Sequence, residues 1–351
     1  MAKKYFNILA PFASVGDVEA LKQAGADELY CGYVTPELAR RWPLAFLILN
    51  RRGEGASFEE YGLFKKAVAK AEKLKLPVDV TMNGFYTPEQ YPLLAELAGQ
   101  IQRVPGVRGL IVSDPGFLLF LKHRGFKKEI HISTLASLFN SRTLSFYKGL
   151  GAQRAVLDRQ LSAGETKELI RRAGKTLGLE LFIVSGPCGV FSDGLCALTH
   201  CIEKREGHEA DGVSLVSTYG TELDERGCML CGRLLTENSF DVLDPVTLKK
   251  RVSRLRMDAK KYWNFGCRLC ELYGLKGLPV KSLKIVGRGV GAAYTARLVT
   301  LVARCLGYLS SGKATRRGYE AFCRALFSEL ALDGKRACTK FDCYYPSFDK
   351  G

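Results

Sequence analysis

The sequence predicts an α/β fold, a TIM-like (β/α) barrel, because short apolar strands alternate with helical segments along most of the chain. Seven or eight such strands, each followed by a helix, fit into roughly 300 residues, which suits a closed barrel. The chain has 351 residues, enough for one such domain and a short tail. We therefore expect a barrel over residues 1–311 and a C-terminal helix and tail over residues 312–351.

The individual elements follow from apolar runs that are bounded by turn residues or by amphipathic segments. The predicted strands are residues 7–12, 28–33, 77–82, 109–113, 129–133, 154–157, 179–185 and 282–286. The predicted helices are residues 15–25, 58–74, 88–100, 116–124, 141–150, 163–173, 292–309 and, in the tail, 318–332.

Residues 186–281 break this alternation between the seventh predicted strand and the last one. The segment is long, weakly periodic and rich in cysteine. In a barrel, an insertion at this point leaves the carboxyl end of a strand, and that end carries the active site. We expect a cluster-binding insertion at the barrel mouth.

The charge balance favours anionic partners. Lysine and arginine number 52 against 36 aspartate and glutamate residues, a net charge of +16, which suits nucleic acid, acidic metabolites or a membrane surface. Two basic runs, residues 122–128 and 249–261, contain a single phenylalanine, Phe126, and not the interleaved aromatic residues of a stacking platform. We favour solvated helix faces there over contact with nucleic acid. The sequence shows neither a secretory signal nor a membrane span, which predicts a cytoplasmic location.

Cysteine supplies the strongest chemical signal, since the chain contains 12 cysteines. Thiols stay reduced in the cytoplasm, so a cluster of cysteines there indicates metal ligation rather than disulfides. Between residues 188 and 270 the cysteines are Cys188, Cys196, Cys201, Cys228, Cys231, Cys267 and Cys270. The last four form two C-x-x-C pairs.

The two C-x-x-C pairs alone would suggest a zinc ribbon, but residues 232–266 separate them by more than is usual. Cys188 and Cys196 favour one composite site, and we favour a 4Fe–4S cluster over structural zinc or unliganded thiols. Elsewhere, Cys31, Cys305 and Cys323 are expected in the core. The tail residues Cys338 and Cys343 fit either a second, weaker site or an inert tail, and we favour the latter.

Several motifs resemble those of peptidase family U32. They occur in order over residues 5–310, and the similarity covers nearly that whole range. The motifs are LAP at 9–11, AGADELY at 24–30, VTMN at 80–83, VSDPG at 112–116, IHIST at 130–134, VLDRQLS at 156–162, GPC at 186–188, GLC at 194–196, RGC at 226–228 and SLKIVGR at 282–288.

The resemblance implies a TIM-like barrel with a 4Fe–4S cluster held by four cysteines. Cys188, Cys196 and Cys228 match the first three ligands. The fourth should precede the SLKIVGR strand, and we favour Cys270, with Cys231 and Cys267 as substitutes. The family further implies oxygen-independent hydroxylation of tRNA, ribosomal RNA or a quinone precursor, with prephenate as the oxygen donor.

Three positions depart from the family pattern, with Val286 for a glutamate, Leu135 for a glutamine and Ser185 for a histidine. These positions fall in the predicted barrel mouth, so the scaffold is better determined than the substrate. Proteolysis is not expected, since the four histidines form no H-E-x-x-H and no G-x-S-x-G is present. Residue counts leave a Cys–His protease open.

Polar side chains at the predicted strand ends are the remaining candidate site residues. As catalytic candidates we take Asn83, Asp114, His131 and Arg159, and as substrate-binding candidates Arg159, Ser133, Lys284 and Arg288. The arginines can clamp a carboxylate or phosphate, or form structural ion pairs. His131 fits a satisfied core histidine as well as an acid–base group, and Asp114 fits a helix cap.

The G-x-G-x-x-A sequence from Gly287 to Ala292 also resembles a dinucleotide fingerprint, but its place at the end of the chain argues against that. We expect close backbone approach and an anion pocket at a helix N-terminus. Together with Arg288, this pocket would suit a dicarboxylate such as prephenate.

These observations predict an iron–sulfur enzyme that hydroxylates a small organic substrate, aromatic or quinone-like, without oxygen. One alternative is an RNA-modifying hydroxylase, which the charge of +16 favours. The lack of a long C-terminal extension weighs modestly against it. The other alternative is a non-catalytic, metal-stabilised subunit with a partner protein. A redox donor is expected as a further partner.

Overall fold

The computed structural model describes residues 4–41, 49, 55–159, 161–174, 177–184, 266–339 and 343. Eight strands of this part of the chain form a closed parallel barrel, and the short strand β3 (Ser57–Phe58) pairs with the outer part of β2. The barrel strands are β1 (Asn7–Pro11), β2 (Glu28–Tyr33), β4 (Val78–Met82), β5 (Val107–Val112), β6 (Glu129–Ile132), β7 (Arg154–Val156), β8 (Gly178–Val184) and β9 (Val280–Ile285). The predicted fold is confirmed.

The barrel closes through β1, which pairs in parallel with β2 on one side and with β9 on the other. Leu9 is opposite Glu28 in the first pairing and opposite Lys284 in the second. Strands β8 and β9 are direct neighbours, with Phe182 opposite Lys284. The cysteine-rich insertion therefore separates two adjacent strands, as the sequence predicts.

Helices surround the barrel, and most of them lie where the sequence predicts. They are α1 (Asp17–Ala24), α2 (Pro36–Arg41), α3 (Tyr61–Lys73), α4 (Tyr91–Gln102), α5 (Pro115–His123), α6 (Ser141–Gly149), α7 (Ala163–Ala173), α8 (Leu272–Leu275), α9 (Ala292–Ser310) and α10 (Arg316–Leu330). Several boundaries differ by one to three residues; for example, Phe58 pairs with Tyr33 as part of β3, and the helix begins only at Tyr61.

Side-chain caps fix where several helices begin. Asn140 accepts a hydrogen bond from the backbone N of Thr143 at the start of α6. Ser162 and Glu165 form a reciprocal capping box on α7, which satisfies two N–H groups that the helix leaves unpaired. Each cap follows a barrel strand, so it also fixes how the chain turns away from the barrel mouth.

The main core lies between the outer face of the barrel and the helices. Helix α9 packs against α1 and β1, and α10 packs against α9 and the 3₁₀ turn Leu269–Glu271. Cys31, Cys305 and Cys323 are buried in this core, as predicted. Among the described helices, none combines the length and apolar character needed to cross a bilayer.

Candidate active site at the barrel mouth

The barrel interior contains a layer of buried charges near the amino ends of the strands. This charged layer consists of Glu28, Asp79, Arg108, Arg154 and Glu180. Oε2 of Glu28 accepts hydrogen bonds from Arg108 at 3.1 Å and from Arg154 at 2.9 Å. Arg108 also donates to both carboxylate oxygens of Asp79. Burial of charge is costly unless the charges are paired, and here each carboxylate has a cationic neighbour.

His131 lies within the charged layer and is fully buried. Its Nε2 is 2.8 Å from Oε2 of Glu129, while its Nδ1 is 3.5 Å from Asp79 and 3.6 Å from Glu180. Asp79, His131 and Glu180 are close enough to hold a cation together. However, Arg108 and Arg154 already neutralise the two carboxylates, so an added cation would meet repulsion. This setting favours a structural or proton-holding role for His131.

The charges shift the acidity of their neighbours. Burial alone would raise the pKa of Glu28, but Arg108 and Arg154 outweigh it and lower that pKa to about 2. Above the layer, burial lowers the pKa of Lys284, while Glu180 opposes that change. The Nζ of Lys284 lies 3.6 Å from Oε2 of Glu180. Lys284 is therefore a buried amine with a lowered pKa, which is a property of groups that transfer protons.

Tyr30 connects this lysine to the barrel mouth. Lys284 Nζ lies 4.4 Å from the centre of the Tyr30 ring, and the Arg288 guanidinium lies 5.9 Å from the same ring. The Tyr30 hydroxyl donates to the carbonyl of Ile285 at 2.8 Å, which fixes the ring. Arg288 in turn donates to Oγ1 of Thr81. The side chains of Lys284 and Arg288 thus both lie against the Tyr30 ring, where cation–π attraction can stabilise them.

Asn83 and Ser133 meet at the mouth, at the carboxyl ends of β4 and β6. Nδ2 of Asn83 donates to Oγ of Ser133 at 3.3 Å. Within the described part of the chain, Oδ1 of Asn83 accepts no hydrogen bond although it is buried. Arg159 lies nearby on the same end of the barrel, with its guanidinium 4.9 Å from the Phe182 ring. This end therefore offers amide, hydroxyl and guanidinium groups to a ligand.

Asp114 caps helix α5. Its Oδ1 accepts from the backbone N of Gly116 and Phe117, and its Oδ2 accepts from the backbone N of Tyr86 at 3.1 Å. The Tyr91 hydroxyl donates to the same carboxylate at 3.0 Å. With both oxygens engaged, the geometry favours the capping alternative for this residue over a catalytic role.

A cavity of about 250 Å³ lies beside Arg288 at the start of helix α9. Its wall includes the glycine-rich turn after β9, together with Phe12 and Asp17. Gly291, with φ of 91°, precedes the helix, and an added Cβ on Gly289 would lie 3.2 Å from the Cβ of Ala56. Helix N-termini favour anions, whereas the Asp17 carboxylate in the wall opposes them. The anion pocket at this cavity stays a prediction.

Three exposed apolar side chains surround the same end of the barrel. Phe85 follows β4 and is 49% exposed, Phe139 follows β6 and is 37% exposed, and Val290 follows β9 and is 46% exposed. Single exposed apolar side chains are common on protein surfaces, but at the mouth of a barrel they can contact a ligand. The mouth therefore combines cationic groups with aromatic surface.

The positions that depart from the family pattern are apolar here. Val286 packs against Val156 and Phe182 inside the barrel, and Leu135 is almost fully buried. The expected glutamate and glutamine positions thus line a dry surface in this chain. Ser185 lies outside the described residues.

The cysteine ligands are described only in part. Cys188, Cys196, Cys228 and Cys231 lie outside the described residues, whereas Cys267 and Cys270 lie inside them. Cys267 forms an antiparallel bridge with Val184 at the end of β8. The second C-x-x-C pair therefore lies at the carboxyl end of the strand from which the insertion departs.

The tail is closer to these thiols than expected. Cys343 forms a parallel bridge with Cys267. Burial raises the pKa of Cys267 well above its usual value, and the neighbouring Cys270, Cys343 and Cys338 thiols raise it further. The tail backbone thus lies beside the second C-x-x-C pair, and the inert tail favoured from the sequence stays a prediction.

The charged layer was missed in the sequence, although a signal for it exists. Glu28, Asp79 and Glu180 each lie in a short strand among apolar residues. Strands of a parallel barrel are covered on both faces, so any charge in them must be buried. Successive residues of a strand face opposite sides of the sheet. A charged residue between apolar neighbours that face the helices would therefore have been predicted to face the barrel interior.

Comparison with known proteins agrees with the motifs. Two proteins named tRNA hydroxylation protein are 28% identical to this chain. The one from Helicobacter pylori (strain J99), protein P, aligns over 294 residues, 83% of this chain and 62% of that protein. Protein P1 from Bacillus subtilis (strain 168) aligns over 233 residues, 61% of this chain and 50% of that protein. This chain spans less than two thirds of the length of both.

A collagenase from Porphyromonas gingivalis is 24% identical over 338 residues, 93% of this chain and 68% of that protein. The solved structure of a U32 peptidase matches with a TM-score of 0.44 and 14% identity, and covers 63% of this chain and 85% of that chain. The model of peptidase family U32 matches residues 13–341. A match of that extent shows that the chain belongs to peptidase family U32.

Proposed function

We propose that this protein is an iron–sulfur-dependent hydroxylase that modifies a base of tRNA without molecular oxygen. The observation that carries the proposal is the alignment of 83% of the chain with a protein named tRNA hydroxylation protein P. That alignment is long enough to include most of the barrel, and the barrel mouth is where such an enzyme would act.

The described mouth supports RNA over a small organic substrate. Phe85 and Phe139 present exposed rings, and proteins recognise unstacked RNA bases by stacking them on aromatic side chains. A net charge of +16 favours contact with the phosphate backbone. The small aromatic or quinone-like substrate stays a prediction, since the names of the relatives point to tRNA.

A small anionic co-substrate fits the cavity beside Arg288. The wall of this cavity of about 250 Å³ includes Arg288 and the N-terminus of a 19-residue helix, while the guanidinium donates to Oγ1 of Thr81 in the protein as it stands. Both features favour carboxylates. We propose that this cavity binds a prephenate-like dicarboxylate as the oxygen donor.

Cys188, Cys196, Cys228 and Cys270 would hold the 4Fe–4S cluster, with Cys231 and Cys267 as substitutes. The described geometry is compatible, because the Cys267–Val184 bridge brings the second C-x-x-C pair to the strand end that precedes Cys188 by four residues. When bound, the cluster supplies redox or Lewis-acid chemistry.

The remaining roles belong to barrel residues. Asn83 and Ser133 would orient the base through their amide and hydroxyl groups, and Arg159 would hold an anionic part of the substrate. Lys284, whose pKa is lowered by burial, would accept or return a proton next to the Tyr30 ring. His131 would have a structural role in the charged layer beneath Lys284, next to Glu129, Asp79 and Glu180.

The test uses anaerobically purified protein with a full complement of iron and sulfide. We expect hydroxylated nucleosides, detected by mass spectrometry of digested tRNA, only when a prephenate-like donor is present. Arg288→Ala should lower kcat/KM by about 10- to 100-fold, since a charge-assisted hydrogen bond contributes about 1.5–3 kcal/mol. Arg288→Lys should retain part of the activity.

Arg172→Ala is the matched control, because it removes a guanidinium from an exposed surface pair with Glu168 and should leave kcat/KM unchanged. If the protein contains zinc and no labile sulfide, the hydroxylase proposal fails and a non-catalytic subunit remains. Cleavage of a protein substrate without change in any tRNA nucleoside would also overturn it.

A further inference from the structure

Four titratable side chains follow one another through the barrel interior, from the mouth to the amino ends of the strands. The first is Lys284, near the carboxyl end of β9, whose side chain is only 6% exposed. Glu180 and His131 come next and are fully buried. The last is Glu129, the first residue of β6, whose side chain is 41% exposed. The series thus connects a buried amine at the mouth with solvent at the opposite end of the barrel.

Glu180 contacts the two neighbouring groups of this series through different oxygens. Its Oε2 lies 3.6 Å from Nζ of Lys284, and its Oε1 lies 3.6 Å from Nδ1 of His131. Oε2 of Glu180 and Nδ1 of His131 are buried and make no hydrogen bond among the described residues. Because both contacts are only about 0.5 Å longer than hydrogen bonds, small rotations of the two side chains would close them.

His131 completes the connection to solvent. Its Nε2 lies 2.8 Å from Oε2 of Glu129, which is a hydrogen-bond distance. An imidazole can accept a proton at one ring nitrogen and release another proton from the second nitrogen. His131 therefore joins Glu180 on one side of its ring to Glu129 on the other side.

Asp79 is the other carboxylate near the imidazole Nδ1, at 3.5 Å, but its contacts suit proton transfer less well. Both of its carboxylate oxygens accept hydrogen bonds from Arg108, and a guanidinium does not release its protons in proteins. Arg154 lies 3.5 Å from Oε1 of Glu180, whereas Oε2 makes no hydrogen bond among the described residues. The contacts therefore favour a route through Glu180.

We propose that Lys284, Glu180, His131 and Glu129 form a proton relay between the barrel mouth and solvent at the amino end of the barrel. The relay rests on the proposed function of Lys284 in proton transfer, and it adds to the structural role of His131. When Lys284 releases a proton, Glu180 takes it and passes it to Nδ1 of His131. Nε2 then gives its own proton to Glu129, which passes it to water. Return of a proton by the reverse steps restores the starting tautomer.

The relay gives Lys284 a route to solvent that a bound substrate does not block. A tRNA base at the mouth would separate the amine from the water on that side, as substrates do when they fill an active site. The amino end of the barrel lies away from that surface. The proton could therefore leave and return while the substrate stays in place.

The first test is the kinetics of Glu129→Gln, which removes the carboxylate at the exposed end and preserves the size of the side chain. We expect kcat for tRNA hydroxylation to fall by about 10- to 100-fold, since a positioned acid–base group contributes roughly 100-fold or more. KM for tRNA should stay unchanged. Acetate should restore part of kcat, because it can replace the missing carboxylate, and Glu129→Asp should keep more activity than Glu129→Gln.

Glu72→Gln is the matched control. Glu72 is an exposed carboxylate at the same end of the barrel, beside Gly106, but it lies outside the relay, so kcat should stay unchanged. An unchanged kcat for Glu129→Gln would overturn the proposal. So would a loss of kcat that neither acetate nor Glu129→Asp repairs, because the carboxylate would then have only a structural role.

A second measurement does not depend on hydroxylation. Nitrogen NMR of protein with isotope-labelled lysine follows the exchange of the Lys284 amine hydrogens with solvent, and Lys284→Arg assigns the signal. We expect Glu129→Gln to slow this exchange by about 10-fold or more, and Glu72→Gln to leave it unchanged. Equal exchange rates in the wild type and Glu129→Gln would overturn the relay. Slowed exchange in a protein that leaves tRNA unmodified would refute the proposed function alone.

Discussion

The two ends of the barrel interior differ in how their polar groups are satisfied. In the charged layer, Glu28 alone accepts hydrogen bonds from Arg108, Arg154, Ser282 and Asn7. At the mouth, Oδ1 of Asn83 accepts none among the described residues, and the Phe85 ring is half exposed. In the charged layer each carboxylate has a cationic neighbour, although Nδ1 of His131 and Oε2 of Glu180 make no hydrogen bond among the described residues. The mouth instead leaves an amide oxygen and an aromatic ring available to a ligand.

This difference separates residues that stabilise the fold from residues that serve the reaction. A buried ion network tolerates no missing partner, since the remaining charge is then uncompensated. A polar residue at the mouth that binds a ligand contributes little to folding, because its polar group can form hydrogen bonds with water in the free protein. Substitutions at the two ends should therefore change different quantities.

The largest effect is expected from Glu28→Ala. The change leaves the guanidinium groups of Arg108 and Arg154 without their shared carboxylate, so the free energy of unfolding should fall by about 3–5 kcal/mol. Chemical denaturation followed by circular dichroism measures this loss.

The matched control is Glu168→Ala, which breaks an exposed pair with Arg172 on helix α7 and should cost at most about 1 kcal/mol. Equal losses for the two variants would show that the charged layer is not what holds the barrel.

Acid provides the same comparison without a mutation. The pKa of Glu28 is lowered from 4.5 to about 2, so its carboxylate stabilises the folded state. That contribution is fully present above pH 4.5 and is lost as the pH falls toward 2. Denaturation midpoints measured across this window should fall for the wild type and vary less for Glu28→Ala. A parallel fall in both proteins would assign the acid sensitivity to other groups.

A smaller effect, confined to ligand binding, is expected from Phe85→Ala. If this ring stacks on a base, its loss should weaken tRNA binding by about 1–3 kcal/mol, or roughly 5- to 150-fold. The stability of the protein should stay within about 0.5 kcal/mol, as for surface substitutions in general. Filter binding at fixed salt measures the affinity.

Phe146→Ala is the control for this experiment. The Phe146 ring is 53% exposed, like that of Phe85, but it lies on the outer helix α6. If both variants lose affinity equally, the aromatic residues of the mouth have no special role in binding.

The sequence was sufficient for the fold because each barrel strand carries a local signal. The runs that contain Val80, Leu110 and Ile130 are apolar and bounded by turns, and repeated strand–helix units leave few alternatives to a parallel barrel. The strands that contain Leu181 and Lys284, on either side of the cysteine-rich segment, were also recognisable from local apolar runs. Both inferences need only neighbours in the chain.

Contacts between residues that are distant in the sequence could not be predicted from the sequence. The pairing of Glu28 with Arg154, and of Cys267 with Cys343, joins residues far apart in the sequence. The ion pairs depend on the register between strands, and the contact between Cys267 and Cys343 depends on how α10 folds back. Asp114 shows the same limit on a smaller scale, since its contacts with Tyr86 and Tyr91 decide between a cap and a catalyst.

The adjacency of β8 and β9 has a consequence for how the chain can vary. The two strands pair in parallel from Leu179 to Val184, with two register shifts, so their pairing does not depend on the segment that joins them. Lengthening a loop between fixed ends costs only about 0.6 kcal/mol for each doubling of its length. The connection between β8 and β9 is therefore a suitable place to exchange one inserted segment for another. A relative's cysteine-rich segment could be grafted between Val184 and Gly266, which would keep the buried Leu269, Leu272 and Leu275 of the core in place.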